Sequence, residues 1–343
     1  MEYYSKIIWI CGMLLLISCQ QQRTIERVEK DMTPISIKGL QNRTYETQLS
    51  HEKVLQGTDD YNADLMSYYS DSLKIYALVT TPKTEAPKEG FPILIFGHGF
   101  HPEPKKYGIS TSTGKEWRPG DYYRAIPEAF AAEGYLVVTP DYRGHNTSDG
   151  FEFTQKKFIA SNFYTIDVLN LLEGIDALKQ ANLDQIYYLG HSMGGDVGLR
   201  MLLVSNKIKA ASLWSAVLAS TTEQALYYGH ANDESKSVVD NDKMIAYTDG
   251  LNQGISSLGF DYKTSSGDAI YFIDDLKVPL IIQHARGDKS VPYAWSESLV
   301  SKLFELDKPF EFYSYSSENH LFQNENFDTA VQRDIQFFKK HLK

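Results

Sequence analysis

An α/β domain, with a mostly parallel twisted sheet and helices on both faces, is the fold this sequence predicts, and three observations predict it. Short continuous apolar runs such as Ile93-Leu-Ile-Phe96 recur along the chain, and runs of that kind mark strands covered on both faces. Amphipathic helical patterns separate them, an alternation that implies parallel strands joined by right-handed crossovers. The third observation is Ile186-Tyr-Tyr-Leu-Gly-His-Ser-Met-Gly-Gly195. There a strand-like run flows into Gly190-His191-Ser192-Met193-Gly194 and then into helix-compatible sequence, a setting that can hold a serine as an exposed nucleophile.

Each element follows in order. Ser67 to Thr80 reads as a hairpin, with its turn at Ser70-Asp-Ser72 and an alternating strand after it. Pro82 to Pro92 is a turn-rich connection to the strand Ile93–Phe96. A helix fits about Tyr122 to Glu133, with Gly134 as its C-terminal cap. Tyr135 to Thr139 is the next strand, and Phe163 to Ala181 repeats apolar residues at helical spacing. Ile186–Leu189, Ala211–Trp214 and Leu280–Gln283 give three more strands. Phe310–Tyr315 is the last, and Phe327–Leu342 is a closing helix. Residues 101 to 121 and 219 to 272 do not fit the alternation. Both leave the carboxyl ends of strands, the edge where open parallel sheets bind ligands, so they are expected to form the cap and walls of a pocket, with short helical patches at best in the second.

The chain has 343 residues, 42% hydrophobic and 23% charged, enough to bury a large core. Net charge is −10 and no basic stripe exists, so nucleic acid is excluded as a partner. At the N-terminus, Lys6 precedes the apolar run Ile7 to Ile17, which is too short to span a bilayer and reads as a secretory signal. Leu16-Ile17-Ser18-Cys19 resembles a bacterial lipobox, which implies cleavage before Cys19 and acylation of that residue. Cys11 and Cys19 are the only cysteines, so the mature chain can form no internal disulfide. Residues 19 to 50 are polar and without sustained periodicity, and are expected to be a tether.

A serine hydroxyl needs a base to remove its proton, and the base needs a group to orient it. Downstream of Ser192, the strand Pro279–His284 runs into Ala285-Arg-Gly-Asp-Lys-Ser-Val-Pro292, placing Asp288 in a loop at a strand's carboxyl end. After the final strand, Ser316-Ser-Glu-Asn-His320 places His320 in the next such loop. Asp274 and Asp275 precede their strand and compete poorly. His284 lies on the strand itself and His191 beside the nucleophile, and both are expected to be structural. Oxyanion donors are expected from the Met193 N–H, at the start of the helix, and from the Phe100 N–H in the glycine-rich turn Gly97-His98-Gly99-Phe100. His98, His101 and His145 lack metal-ligand spacing, so no metal is expected, and no cofactor. Arg143 and Asp196 read as structural charges. Aromatic residues near the pocket loops, among them Trp117, Tyr122, Tyr227, Tyr228 and Trp295, could stack on a ring or pack the core.

These pieces together resemble the α/β-hydrolase superfamily, and within it the prolyl-oligopeptidase-like and dienelactone-hydrolase-like branch. The matching stretches are Ser70-Asp-Ser-Leu-Lys-Ile, Gly97-His-Gly-Phe, Asp141-Tyr-Arg-Gly-His, Gly190-His-Ser-Met-Gly-Gly, Gly287-Asp and Asn319-His320. They run in the family's order through residues 67 to 343. Two positions depart from the pattern: Asn146 stands where the family often has Gly, and Asp196 where it is usually small or apolar. The resemblance implies an α/β-hydrolase fold with a cap and a triad of Ser192, Asp288 and His320. It leaves the substrate open, because this fold hosts esterases, lipases and peptidases.

The expected organisation is a lipoprotein signal peptide at 1–18, a tether at 19–50 and a hydrolase domain at 51–343 with a cap insertion at about 219–272. The expected activity is hydrolysis of a small carboxylic ester through an acyl-enzyme, by a protein lipid-anchored at Cys19 in a bacterial cell envelope. The alternatives are a small serine peptidase of the prolyl-oligopeptidase type and a non-catalytic ligand-binding lipoprotein. Only about fifty mature residues precede the hydrolase core, which leaves no room for a propeller and favours the esterase. Oligomeric state is open.

Overall fold

The structure, a computed structural model, describes residues 33–107, 122–229, 241–317, 319–322 and 326–342. The signal peptide, Cys19, Trp117 and the first part of the tether lie outside the described residues. The chain begins with α1 (Ile37–Gln41) and an antiparallel meander of β1 (Ser50–Leu55), β2 (Tyr61–Ser70) and β3 (Leu73–Pro82). The β2–β3 hairpin pairs Ser70 with Leu73, and Asp71 turns it at φ 58°. β4 (Phe91–Gly97), α2 (Ala125–Ala132), β5 (Leu136–Asp141), α3 (Phe151–Thr154) and α4 (Ala160–Gly174) follow. Next come β6 (Ala181–His191), α5 (Met193–Leu202) and β7 (Ile208–Trp214). The cap segment holds α6 (Thr221–Gly229), α7 (Asn241–Ser256) and α8 (Thr264–Gly267), and the chain closes with β8 (Leu280–Ala285), α9 (Tyr293–Glu305), β9 (Phe310–Tyr315) and α10 (Phe327–Lys340).

The strands form one nine-stranded sheet in the order β1-β2-β3-β5-β4-β6-β7-β8-β9. From β5 to β9 every pairing is parallel, as the strand–helix alternation requires. Period-two alternation divides the central strands between two cores. Ile93 and Ile95 of β4 and Ile186 and Tyr188 of β6 pack with α4, α5 and α9 on one face. Leu94, Phe96, Tyr187 and Leu189 pack with α2 and α10 on the other. Helix α10 presents Val331, Asp334, Ile335 and Phe338 to the sheet, the i, i+3, i+4, i+7 spacing of a buried stripe. Asp334 in that stripe accepts hydrogen bonds from Ser212 Oγ (2.8 Å), Trp214 Nε1 (2.8 Å) and Gln283 Nε2 (2.6 Å), tying the helix to β7 and β8.

Three expectations need correction. The tether does not extend to residue 50: Ile35, Ile37 and Leu40 are fully buried and Leu49 nearly so. Each such side chain contributes about 1.5–3 kcal/mol of burial, and Ser36 caps α1 by accepting from the Gly39 N–H at 2.9 Å. Four apolar residues spread over fifteen positions carry too little periodicity to be read as an element. The helix expected to reach Ala181 ends at Gly174, because a 3₁₀ turn follows it and β6 already begins at Ala181. The cap segment is more helical than its sequence suggests, with α7 running through 16 residues. α6 and α7 lie against the turn at residues 157–159, and Lys156 Nζ donates to Ser257 Oγ at 3.1 Å. Among the described residues no helix is long and apolar enough to cross a membrane.

Candidate active site

Ser192 sits between β6 and α5 with φ 56° and ψ −123°, a left-handed conformation that costs a non-glycine residue strain. The surroundings hold it there. Its N–H donates to the Trp214 carbonyl at 3.0 Å, and its carbonyl accepts from Gly195 (3.0 Å) and Val217 (2.9 Å). The elbow also needs glycine: a Cβ on Gly194 would stand 2.0 Å from the Gly97 carbonyl oxygen. That close approach brings the turn after β4 against the elbow that carries Ser192. A Cβ on Gly99 would lie 3.1 Å from Ser192 Cβ.

The turn after β4 is itself pinned. His98 is buried, and its Nδ1 bonds the Gly99 carbonyl at 2.8 Å. The C=O and the following N–H of a trans peptide point in opposite directions, so fixing the Gly99 carbonyl also fixes the Phe100 N–H. Neither that N–H nor the one of Met193 donates to another protein group among the described residues. Burial, with the nearby His145, holds His98 well below the usual imidazole range, so it is neutral. Its ring stacks on Tyr107 at 4.1 Å and meets Tyr142 at 4.3 Å and His145 at 5.1 Å, so these loop histidines form a packed aromatic cluster.

Asp288 and His320 come together as the sequence order implies. His320 Nδ1 lies 2.6 Å from Asp288 Oδ2. The other oxygen, Oδ1, accepts from the N–H groups of Ser290 (2.7 Å) and Val291 (3.0 Å). Burial opposes ionisation of Asp288, but the hydrogen bonds from His284 and His320 outweigh it and hold the carboxyl well below the carboxylate range. A fixed anion on Nδ1 holds the ring hydrogen there and leaves the other ring nitrogen of His320 as an acceptor. Among the described residues no hydrogen bond joins Ser192 Oγ to His320; such contacts tighten when substrate is bound.

The sequence reading missed one partner. His284 Nε2 stands 3.3 Å from Asp288 Oδ2, and its Nδ1 is 2.7 Å from Ser296 Oγ. His284 therefore helps to fix the acid, a contact that its place inside a strand did not signal. The other expected structural charges are structural. Arg143 is buried against Asp167 (Nη2 to Oδ1 2.7 Å) and also meets Asp71 at 3.2 Å. Asp196 pairs with Arg200 at 2.6 Å and accepts from Ser161 Oγ at 2.6 Å. Asn146 adopts φ 47° and donates to Asp141 Oδ2 at 2.7 Å, and asparagine tolerates that left-handed position where glycine is more usual.

Around these loops the described surface is aromatic. Phe100 is 71% exposed and Tyr122 40% exposed. Burial raises the hydroxyls of Tyr122, Tyr227 and Tyr228; the charge of Asp288 adds to this in each, after the neighbouring Tyr227 in the case of Tyr228. Tyr227 meets Trp295 at 5.3 Å between ring centroids. Among the described residues no group of three His, Cys, Asp or Glu side chains could hold a metal.

This geometry agrees with what the chain is similar to. The family model described as the prolyl oligopeptidase family matches residues 121–343. An uncharacterized peptidase of Bacillus subtilis, YtmA, is 24% identical over 274 residues, covering 79% of this chain and 91% of the relative. Among solved structures, acetyl xylan esterase 1 from Thermoanaerobacterium sp. JW/SL YS485 superposes with a TM-score of 0.60 at 14% identity, covering 92% of this chain and 94% of that one. The acylaminoacyl peptidase of Pyrococcus horikoshii superposes with a TM-score of 0.59 at 18% identity, covering 83% of this chain and 42% of that one.

Proposed function

The chain belongs to the prolyl oligopeptidase family of serine hydrolases, and from that membership we propose that it cleaves carboxylic esters through an acyl-enzyme on Ser192. Ser192 Oγ attacks the acyl carbonyl while His320 takes its proton, with Asp288 orienting the ring and stabilising its cation. The Phe100 and Met193 N–H groups receive the negative charge that develops on the carbonyl oxygen; one such donor contributes about 3–4 kcal/mol in related chemistry. His320 then returns the proton to the leaving alcohol and activates water to release the acid.

The observation that carries the preference for an ester is the character of the site's rim. Its described carboxylates are already engaged, Asp288 by two histidines and Asp196 by Arg200. Glu223 accepts from Ser220 Oγ at 2.7 Å. What the described residues present there is aromatic: Phe100 and Tyr122 are exposed, and Tyr227, beside the Asp288 loop through the Lys289 carbonyl, packs with Tyr228 and Trp295. Such a surface suits an uncharged acyl or alcohol group better than a charged peptide terminus. The acetyl xylan esterase that superposes along nearly its whole length has the same scale of domain.

A second reading, a small serine peptidase, draws on the Bacillus subtilis peptidase matched over 91% of its length. Turnover of p-nitrophenyl acetate and of aminoacyl-p-nitroanilides separates the two. The ester reading expects faster ester turnover that Ser192→Ala abolishes; a strong anilide preference would reverse it, and wild-type ester turnover in Ser192→Ala would remove the acyl-enzyme altogether. We propose in addition that an acylated Cys19 anchors the enzyme to a membrane of the cell envelope.

A further inference from the structure

The ring of His191 joins three loops that are far apart in the chain. Its Nδ1 lies 2.8 Å from Tyr123 Oη, and that hydroxyl oxygen accepts the Gly99 N–H at 3.0 Å. Its Nε2 lies 2.9 Å from the backbone carbonyl of His320, and the two imidazole rings are 4.4 Å apart. His191 is 1% exposed and Tyr123 8%, so water does not compete for these bonds. One protonation pattern satisfies every atom. The Gly99 N–H can only donate, so the Tyr123 hydroxyl hydrogen is free to go to His191 Nδ1. Nε2 then carries the ring hydrogen and donates it to the His320 carbonyl.

We propose that Tyr123 and His191 are a positioning relay that locks the oxyanion turn, the nucleophile elbow and the base loop into one register. The inference rests on the acyl-transfer reading of Ser192 and His320 given above. Gly99 immediately precedes the oxyanion donor Phe100, His191 immediately precedes Ser192, and the third bond ends on the backbone of the base itself. Each end of the relay thus holds the main chain beside a reacting group and leaves the reacting atoms free. Both ring nitrogens of His191 are committed, so it cannot replace His320 as base. Burial, then the neighbouring His320, keeps His191 well below the usual imidazole range, and it stays neutral while His320 takes up the serine's proton. Neither residue touches substrate; the effect is on alignment, and a misplacement of about 1 Å can cost 10²-fold in rate.

The test compares Tyr123→Phe, His191→Phe, His191→Gln and the double variant Tyr123→Phe/His191→Phe with the wild type. It measures kcat and KM for p-nitrophenyl acetate and the rate at which a fluorophosphonate labels Ser192, on proteins whose folding is verified by circular dichroism. The relay expects kcat and labelling rate to fall about 10- to 100-fold in the single Phe variants, with KM changed less than about twofold. The double variant should be no slower than the worse single one. His191→Gln should recover part of the loss, because its amide can donate to the His320 carbonyl. Should the His191 variants fail to fold, Tyr123→Phe decides alone, since it keeps the ring and removes only the hydroxyl. Wild-type kcat in Tyr123→Phe, or fully additive losses in the double variant, would overturn the relay alone. A wild-type protein that is neither labelled nor active on esters or anilides would overturn the acyl-transfer reading, and the relay with it.

Discussion

Ser192 holds a backbone conformation that costs about 1–3 kcal/mol for a side chain with a Cβ, and the price is met by the three backbone bonds that clamp it. The residue was legible because glycine must flank such a turn and because a strand and a helix bracket it in sequence. Asp288 and His320 were legible for a related reason: each follows an apolar strand directly. Their 2.6 Å contact was not, since no local pattern encodes the distance between loops that are 32 positions apart. The contact makes a prediction at this scale. Asp288→Asn puts an amide where Oδ2 accepts from His320, which favours the wrong tautomer of the base. Steady-state kcat on p-nitrophenyl acetate should fall by about 10³–10⁴-fold with KM little changed; a loss under tenfold would exclude Asp288 as the orienting acid. His284, which also donates to Asp288, was read only as structural, because a histidine inside a strand gives no sign of which loop residue lies across from it.

The central strands were read well as elements because burial on both faces leaves an uninterrupted apolar run. Helix ends were read less well, as α4 shows: the apolar spacing continues to Leu178, while tertiary packing ends the α-helix at Gly174. The cap elements were hardest, since their anchoring is polar. Asp268, just after α8, is fully buried beside Arg200 of α5 and accepts a short hydrogen bond from Thr221 of α6, so it joins the cap to the hydrolase core. Burial raises its carboxyl to about 7, with Arg200 and the Thr221 bonds opposing the shift. An acid whose folded pKa lies above its unfolded value of about 3.9 contributes stability that is complete below about pH 4. That contribution is lost as pH rises through about 7. Asp268→Asn cannot ionise, so the melting temperature of the wild type minus that of the variant should decrease between pH 5 and pH 8. Thermal melts at the two pH values check this, and a difference that grows with pH would contradict it.

At the scale of the whole molecule, the domain begins earlier than composition suggests. Ile35, Ile37 and Leu40 belong to the main core, so the stretch between Cys19 and the packed residues is 20–32, thirteen positions by 32 − 19. A chain of that length reaches at most about 47 Å when fully extended. If Cys19 is acylated as proposed, the packed domain lies within that reach of the bilayer. Fractionation of cells expressing Cys19→Ala should move the protein from the membrane pellet to the soluble fraction, and unchanged sedimentation would contradict the anchor. The sequence by itself determined the α/β architecture, the order of the strand-end loops and which serine, aspartate and histidine those loops carry. It could do so because periodicity, glycine placement and strand-to-loop order are local properties. Only the tertiary structure decided that Gly99, Tyr123, His191 and His320 share one hydrogen-bonded line, that Asp288 has two histidines and that the apparent tether is core. Those facts depend on which residues meet in space, most of them tens to more than a hundred positions apart, and the chain writes such meetings only in its packed form.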